Sequence, residues 1–379
     1  MLPGAGPSSP STALAHNRRL VLHVLRAAGE LTRAEIGEAS GLSPAATARI
    51  TDRLEAELLI ARTQKVPSSG GRPAWRYRFT AAGRLLGGVR VQRDGCRGAL
   101  LGWDGQIVSR NQVLLDPATA TGDEILAAAQ ACTRLIDEEA ARLGARLAAL
   151  GVGVPAVVDS AGSARAGTEV GWREVPLGGL LSNFTSAPLL VENDANALAY
   201  SELEPGRHTR SLAALILGHG LGAGLVSDGH LLRGTHFAAG EIGYLITSRD
   251  VLSSPPADIG DLELRIQQAA SSRRRKADAP AQLWTLMGQS SPAAADATAE
   301  MLDYLAMAIA SLVVVLDPER VVIGDVPSAQ AERVLEEVRG RLRGHLLHEP
   351  TVAVARRGPD AVLVGAALLA AELVDLQAI

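Results

Sequence analysis

The chain has 379 residues, enough for two or three domains, and its 47% hydrophobic and 21% charged content is that of an ordinary globular protein. Its net charge of −4 is unevenly divided: residues 1–82 carry 11 Arg/Lys against 6 Asp/Glu, whereas the remainder carries 26 against 35. Two cysteines, Cys96 and Cys132, exclude a disulfide scaffold and a multi-cysteine zinc site, and they fit a reducing cytoplasm. The Pro/Gly/Ser-rich start, Met1 to Ala13, lacks the basic start and apolar core of a signal peptide and reads as disordered. The longest charge-free run in the apolar C-terminal helix, Tyr304 to Leu316, is too short to span a bilayer. A small basic part on an acidic body suggests a reader of polyanions attached to something else.

Residues 14–82 carry that basic part. In "NRRLVLHVLRAAGE", Leu20, Val21, Val24, Leu25 and Ala28 recur at helical spacing. A second helix starts at "LTRAEIGEASG", where Thr32 and Glu35 make a capping box and Gly41 a stop. "LSPAATARITDRLEAELL" starts a third, with Ser43 as N-cap and Pro44 at the first helical position. Thr47, Ile50, Leu54 and Leu58 would face inward, leaving Ala45, Ala46, Ala48, Arg49 and Arg53 mainly outward. Two short helices joined by a tight Gly-Leu-Ser turn are a helix-turn-helix, and small residues early in its second helix let the backbone approach a major groove. Arg49 could read a guanine edge there.

"ARTQKVPSSGGRPAWRYRFT" then reads as a hairpin around a Pro/Ser/Gly tip, with Trp75, Tyr77 and Phe79 on one face and Arg76 and Arg78 on the other. This completes a winged helix. At its tip Arg72, between Gly71 and Pro73, suits a narrow A/T-rich minor groove. The candidate DNA contacts are Arg33, Ser43, Ala45, Ala46, Thr47, Arg49, Arg53 and Arg72.

From Gly83 onward the pattern becomes α/β. Strand-like segments ("LLGGVRV", "RGALLGW", "LAALGVGVP", "APLLVEN", "LAALILG") alternate with helical ones, and no short repeat is visible. Helices on both faces of mixed strands predict a doubly wound body over 83–379. In "LLVENDANALAY", Glu192 and Asp194 follow an apolar strand and open an alanine-rich helix, a corner where carboxylates often do proton chemistry.

The order "GVGVPAVVD", "GW", "VENDANALA", "LGHGLGAGLVSDGHLLRG", "AGEIGY", "LDPERVVIGD", behind a winged helix ending in "GGRP", resembles the ROK family of repressors, open reading frames and sugar kinases, over residues 17–375. The resemblance implies a two-lobed, actin/hexokinase-like body with a sugar cleft, and the winged helix implies the repressor branch. Asp194 would then be the relic of the kinase base, its anion stabilised by the helix dipole. The resemblance also places Asn193, Glu241 and Glu263 against sugar hydroxyls. Tyr244 stands at the family's zinc-binding His. Its phenol would donate to the ligand, or to Glu263, or fill the volume of a lost zinc site.

Two parts of the family's chemistry are degraded. The phosphate turn Asp-x-Gly-x-Thr has become Arg90, Gln92 and Asp94, the second glycine turn carries His219, and the adenosine-side Gly-Gly has become Gly324 and Asp325. Phosphoryl transfer is mostly positioning and charge neutralisation, so losing this cradle removes most catalytic power. The zinc cysteines have become Ser254, Pro256 and Asp261, so no metal and no cofactor is expected. The run "SSRRRKADAP" reads as a solvated loop, and His219, His230 and His236 as loop histidines. The expectation is a cytoplasmic, non-enzymatic regulator, a homodimer or tetramer. It would bind an A/T-containing inverted repeat and release it on binding a sugar-type effector, without a membrane. The alternatives are a bifunctional sugar kinase and a body that is only a dimerisation scaffold.

Overall fold

The computed structural model describes residues 17–374, apart from 19, 23, 26, 27, 58, 69, 70, 81, 82, 204–208, 218, 219, 254–258 and 272–282. Met1 to Ala13, Leu58, Gly218, His219, Ser254, Pro256 and nearly all of the Ser271–Pro280 run lie outside the described residues. So do the side chains of Gly71 and Arg72.

In the head, α1 occupies 17–28 where described, followed by β1 (Glu30–Thr32), α2 (Arg33–Ser40), α3 (Pro44–Ala56), β2 (Ile60–Ser68) and β3 (Gly71–Phe79). The capping box forms: Glu35 N–H donates to Thr32 Oγ1 at 3.3 Å, and Thr32 N–H donates to the Glu35 carboxylate at 2.7 Å. Such caps are worth about 1 kcal/mol each, enough to fix where a short helix begins. Gly41 ends α2 in the left-handed region, and Ser43 caps α3 by accepting from Ala46 N–H at 3.3 Å. Sequence reading missed β1. Glu30 to Thr32 pair antiparallel with Arg78 to Arg76, adding a third strand to the wing.

The body contains two five-stranded sheets of one topology. The first holds β4 (Arg84–Gln92), β5 (Gly95–Leu101), β6 (Ile107–Leu114), β7 (Arg146–Val154) and β11 (Leu189–Asn193), in the order β11-β7-β4-β5-β6. Between β7 and β11 a small antiparallel sheet inserts, made of β8 (Val157–Val158), β9 (Ala164–Gly167) and β10 (Trp172–Val175), followed by α5 (Leu177–Leu181). The second sheet holds β12 (Leu212–Leu217), β13 (Leu221–Ser227), β14 (His230–Leu231), β15 (Arg320–Ile323) and β16 (Thr351–Val354), in the order β14-β13-β12-β15-β16. In each, an antiparallel meander of the first strands is extended by parallel strands. This duplication is not legible as a sequence repeat, because topology depends on where apolar strands recur and not on which apolar residues fill them.

Each lobe has its own core. In the first, α4 (Gly122–Arg142) lays Ile125, Ala129, Cys132 and Ile136 on one face of the sheet. In the second, α7 (Asp261–Ser271), α8 (Leu283–Met287), α9 (Pro292–Leu316) and α10 (Ala331–Leu342) cover the sheet. By length and composition α9 could cross a membrane, which corrects the expectation from its charge-free run. It is the core helix of this lobe, with Met301, Leu302, Leu305 and Ile309 buried in it. Between the lobes α6 (Asp194–Ser201) packs on α11 (Ala361–Ala370) so closely that a Cβ on Gly365 would lie 1.8 Å from the Ala197 carbonyl oxygen. The head shares a core with the first lobe: Val21, Leu22 and Leu25 of α1 join Leu86, Leu101 and Trp103 of the body and Ala370, Ala371 and Val374 at the end of α11.

Candidate functional site

On the head, α3 turns Thr47, Ile50, Thr51 and Leu54 inward and exposes Ser43, Ala45, Arg49 and Arg53, with Ala46 half-buried. Arg49 and Arg53 therefore stand outward beside small residues. Two of the expected contacts are placed otherwise. Thr47 is fully buried: its hydroxyl donates to the Ser43 carbonyl at 3.1 Å, and it lies against Gly37 of α2. It fixes the angle between the two helices and offers nothing to a groove. Arg33, half-buried, pairs with Asp52 and lies over the Tyr77 ring at 5.2 Å. Arg72 lies in the backbone of β3 next to the tip, with Ser68 opposite Gly71.

The residues expected to line a cleft come from both lobes. The first sheet delivers β11, whose end carries Asn193 and Asp194. Asn193 caps α6, accepting from Asn196 N–H at 3.1 Å while its amide donates to the Ala156 carbonyl at 3.1 Å. Much of its polar capacity is thus committed to the fold. Asp194 accepts from Ala195 N–H at 2.8 Å. Burial pushes its carboxyl up to about 7, Arg90 pulls it back, and Glu169 and Asp325 push it further. Desolvation is the largest of these influences, and the Ala195 N–H at the start of α6 acts against it.

The second lobe contributes Glu241 and Glu263. Burial raises Glu241. Glu263, in the first turn of α7, is pushed up to about 7 by burial and by the charges of Glu241 and Glu169. Gln267 donates to it at 3.2 Å. The charge of Glu169 raises both Asp194, in the first lobe, and Glu263, in the second. Sequence reading missed Glu169. Its only signal was its place just before the "GW" pair, in the β9–β10 turn.

The segment around Tyr244 packs against the start of α7. A Cβ on Gly260 would lie 2.1 Å from the Gly243 carbonyl oxygen, and Leu262 N–H donates to the Leu245 carbonyl at 3.1 Å. Tyr244 itself is 56% exposed and fills no buried volume. Asp261, at a former cysteine position, accepts from Thr247 N–H at 2.7 Å and pairs with Arg265 at 3.4 Å. Among the described residues no group of three His, Cys, Asp or Glu side chains is arranged to hold a metal.

The degraded phosphate turn is filled by its own side chains. Arg97 binds Asp94 at 2.7 Å and donates to the Gln92 amide oxygen at 2.7 Å. Arg90, 4% exposed, pairs through both terminal nitrogens with Asp325, one bond measuring 2.7 Å. Read singly, Arg90 and Asp325 are losses. In the structure they are partners.

The ROK family model matches residues 86–373, and the MarR family model matches residues 14–67. The chain is 24% identical over 348 residues to a xylose repressor of Caldicellulosiruptor bescii, spanning 85% of this chain and 86% of that protein. With a glucokinase of Streptomyces coelicolor it shares 27% identity over 299 residues, 71% of this chain and 92% of that one. Among solved structures, a ROK family transcriptional regulator, a homolog of the E. coli MLC protein, shares the fold with a TM-score of 0.74 at 22% identity, covering 95% of this chain and 97% of its own. A ROK family glucokinase from Streptomyces griseus, in complex with glucose and AMPPNP, gives 0.63 at 25% identity, covering 76% and 99%. With that match across most of the body, behind a winged helix that matches the MarR model, the chain belongs to the ROK family.

Proposed function

We propose that this chain is a DNA-binding transcriptional repressor whose body senses a sugar or sugar derivative. The observation that carries the reading is the pairing of a complete winged helix with a two-lobed cleft of carboxylates drawn from both lobes. The xylose repressor matches over 85% of this chain, whereas the glucokinase matches over 71%. A polyol needs convergent acceptors, and Asp194, Glu241, Glu263 and Glu169 supply them. The protein acts as a homodimer on an A/T-containing inverted repeat in the cytoplasm, and effector binding changes the setting of the two heads.

The family includes kinases, and this body departs from them where phosphates would be held. Arg90, Gln92 and Asp94 are tied to Asp325 and Arg97 and leave no turn for phosphate oxygens. We read Asp194 as a ligand contact and the chain as no enzyme. We expect no structural zinc either.

The reading is tested by thermal shift of the full-length protein against a panel of neutral, amino and phosphorylated sugars. Binding at about 100 times the dissociation constant adds roughly 2.7 kcal/mol to stability. A hit that also releases operator DNA supports the sensor. ATP-dependent phosphorylation of that sugar would restore the kinase, and a panel without hits would leave a scaffold.

A further inference from the structure

The Arg90–Asp325 pair joins parts of the chain far apart in sequence and in fold. Arg90 belongs to β4, a central strand of the first sheet, and Asp325 follows β15 of the second. Both lobes therefore reach into one ion pair. Its guanidinium is buried, and the charges of Asp194 and Glu169 act on it as well as that of Asp325. Asp325 holds a left-handed backbone, φ 58°, a region that glycine adopts freely and most side chains avoid. A side chain at that position is tolerated here while its carboxylate meets Arg90 with both oxygens.

The rest of the interface leans on the same point. Glu202, at the end of α6, is buried against Arg320 at 3.1 Å and Arg356 at 2.9 Å, which anchors α6 to the second sheet. On its other side α6 packs without a gap on α11. The helices α6 and α11 thus meet in close backbone contact, while Arg90 and Asp325 tie the two sheets by charge. A bidentate pair of planar groups holds its geometry only over a small displacement, because both bonds must stay short and in plane. A rotation of one lobe against the other would part them and leave a buried charge without its counterion.

We propose that Arg90 and Asp325 form an interlobe clasp that sets the angle of the cleft, so that lobe opening requires the pair to break. The clasp stands on the ion pair itself; only its consequence for signalling rests on the sensor reading. Both are positioning residues, acting through the lobes and not on the effector.

The test measures lobe separation directly in the full chain. Nitroxide labels are placed on Glu138→Cys of α4 and Glu336→Cys of α10, both exposed, while Cys96 and Cys132 are buried and stay unlabelled. The labelled protein is diluted with unlabelled chains, and the distance distribution is read by double electron–electron resonance. The unaltered clasp is expected to give one narrow distribution. Arg90→Met and Asp325→Gly should each broaden it and shift it to longer distance, and the double variant should go no further than either. Asp325→Gly suits the left-handed backbone, and the double variant leaves neither charge of the pair buried alone, so loss of folding does not hide the answer. A folded double variant that keeps the narrow distribution overturns the clasp. A distribution that answers to the clasp variants but to no sugar keeps the clasp and sinks the sensor.

Discussion

The ring of Phe79, the last residue of the wing, meets the indole of Trp103 edge-on, with centroids 5.0 Å apart and planes at 80°. Around this contact the head and the first lobe share one apolar core that includes α1 and the end of α11. The boundary near residue 82 therefore divides functions more than it divides cores. Through α11 the head touches the helix that packs against α6, and α6 starts at Asp194.

Head and body should then unfold together. Trp103→Ala removes a large ring from a shared core and is expected to cost about 3–5 kcal/mol. Calorimetry of the wild-type chain should show the head melting with the first lobe, and the variant should separate them. A head that melts on its own in the wild type contradicts the shared core.

The cleft carboxylates make stability depend on pH. Asp194 and Glu263 are raised from 3.8 and 4.5 to about 7. A carboxyl whose pKa is higher folded than unfolded binds its proton more tightly in the fold. Its contribution is complete below the unfolded value and is lost as pH rises through about 7. Asp194→Asn and Glu263→Gln should therefore flatten the decline between these limits and exceed wild type in stability above it. Melting curves across that range read this, and a decline unchanged in both variants contradicts it.

Much of this was legible in the chain. Thr32 with Glu35, Gly41, and Ser43 with Pro44 placed the helices of the head, because caps act locally and carry their own residue types. The buried strands of the body were equally plain. Three things were hidden. The Glu30–Thr32 strand is too short to show a period, and it forms only because β3 is there to pair with it. Glu169 comes near Asp194 and Glu263 only through folding. Arg90 and Asp325 are 235 positions apart, and without the fold each looked like a lost function. Thr47 and Asn193 both make backbone hydrogen bonds that their residue types alone did not announce.

At the wing tip, phosphate contacts weaken binding to all sequences alike, whereas groove contacts change preference. Arg72→Ala is expected to cost about 1–3 kcal/mol on the operator and to reduce A/T preference at flanking positions. Binding titrations on operator and random duplexes separate the two cases. An equal loss on both makes Arg72 a phosphate contact.

The central claim is that the cleft at Asp194 governs release from DNA. Ligand and operator must change each other's binding by the same factor. The most direct measurement is operator binding titrated with the effector for wild type, Asp194→Asn and Asp194→Ala. Asp194→Ala should bind operator as wild type does without effector, and should need roughly 10- to 100-fold more effector to release it. Asp194→Asn should fall between them. Release of all three proteins at one effector concentration would contradict the account.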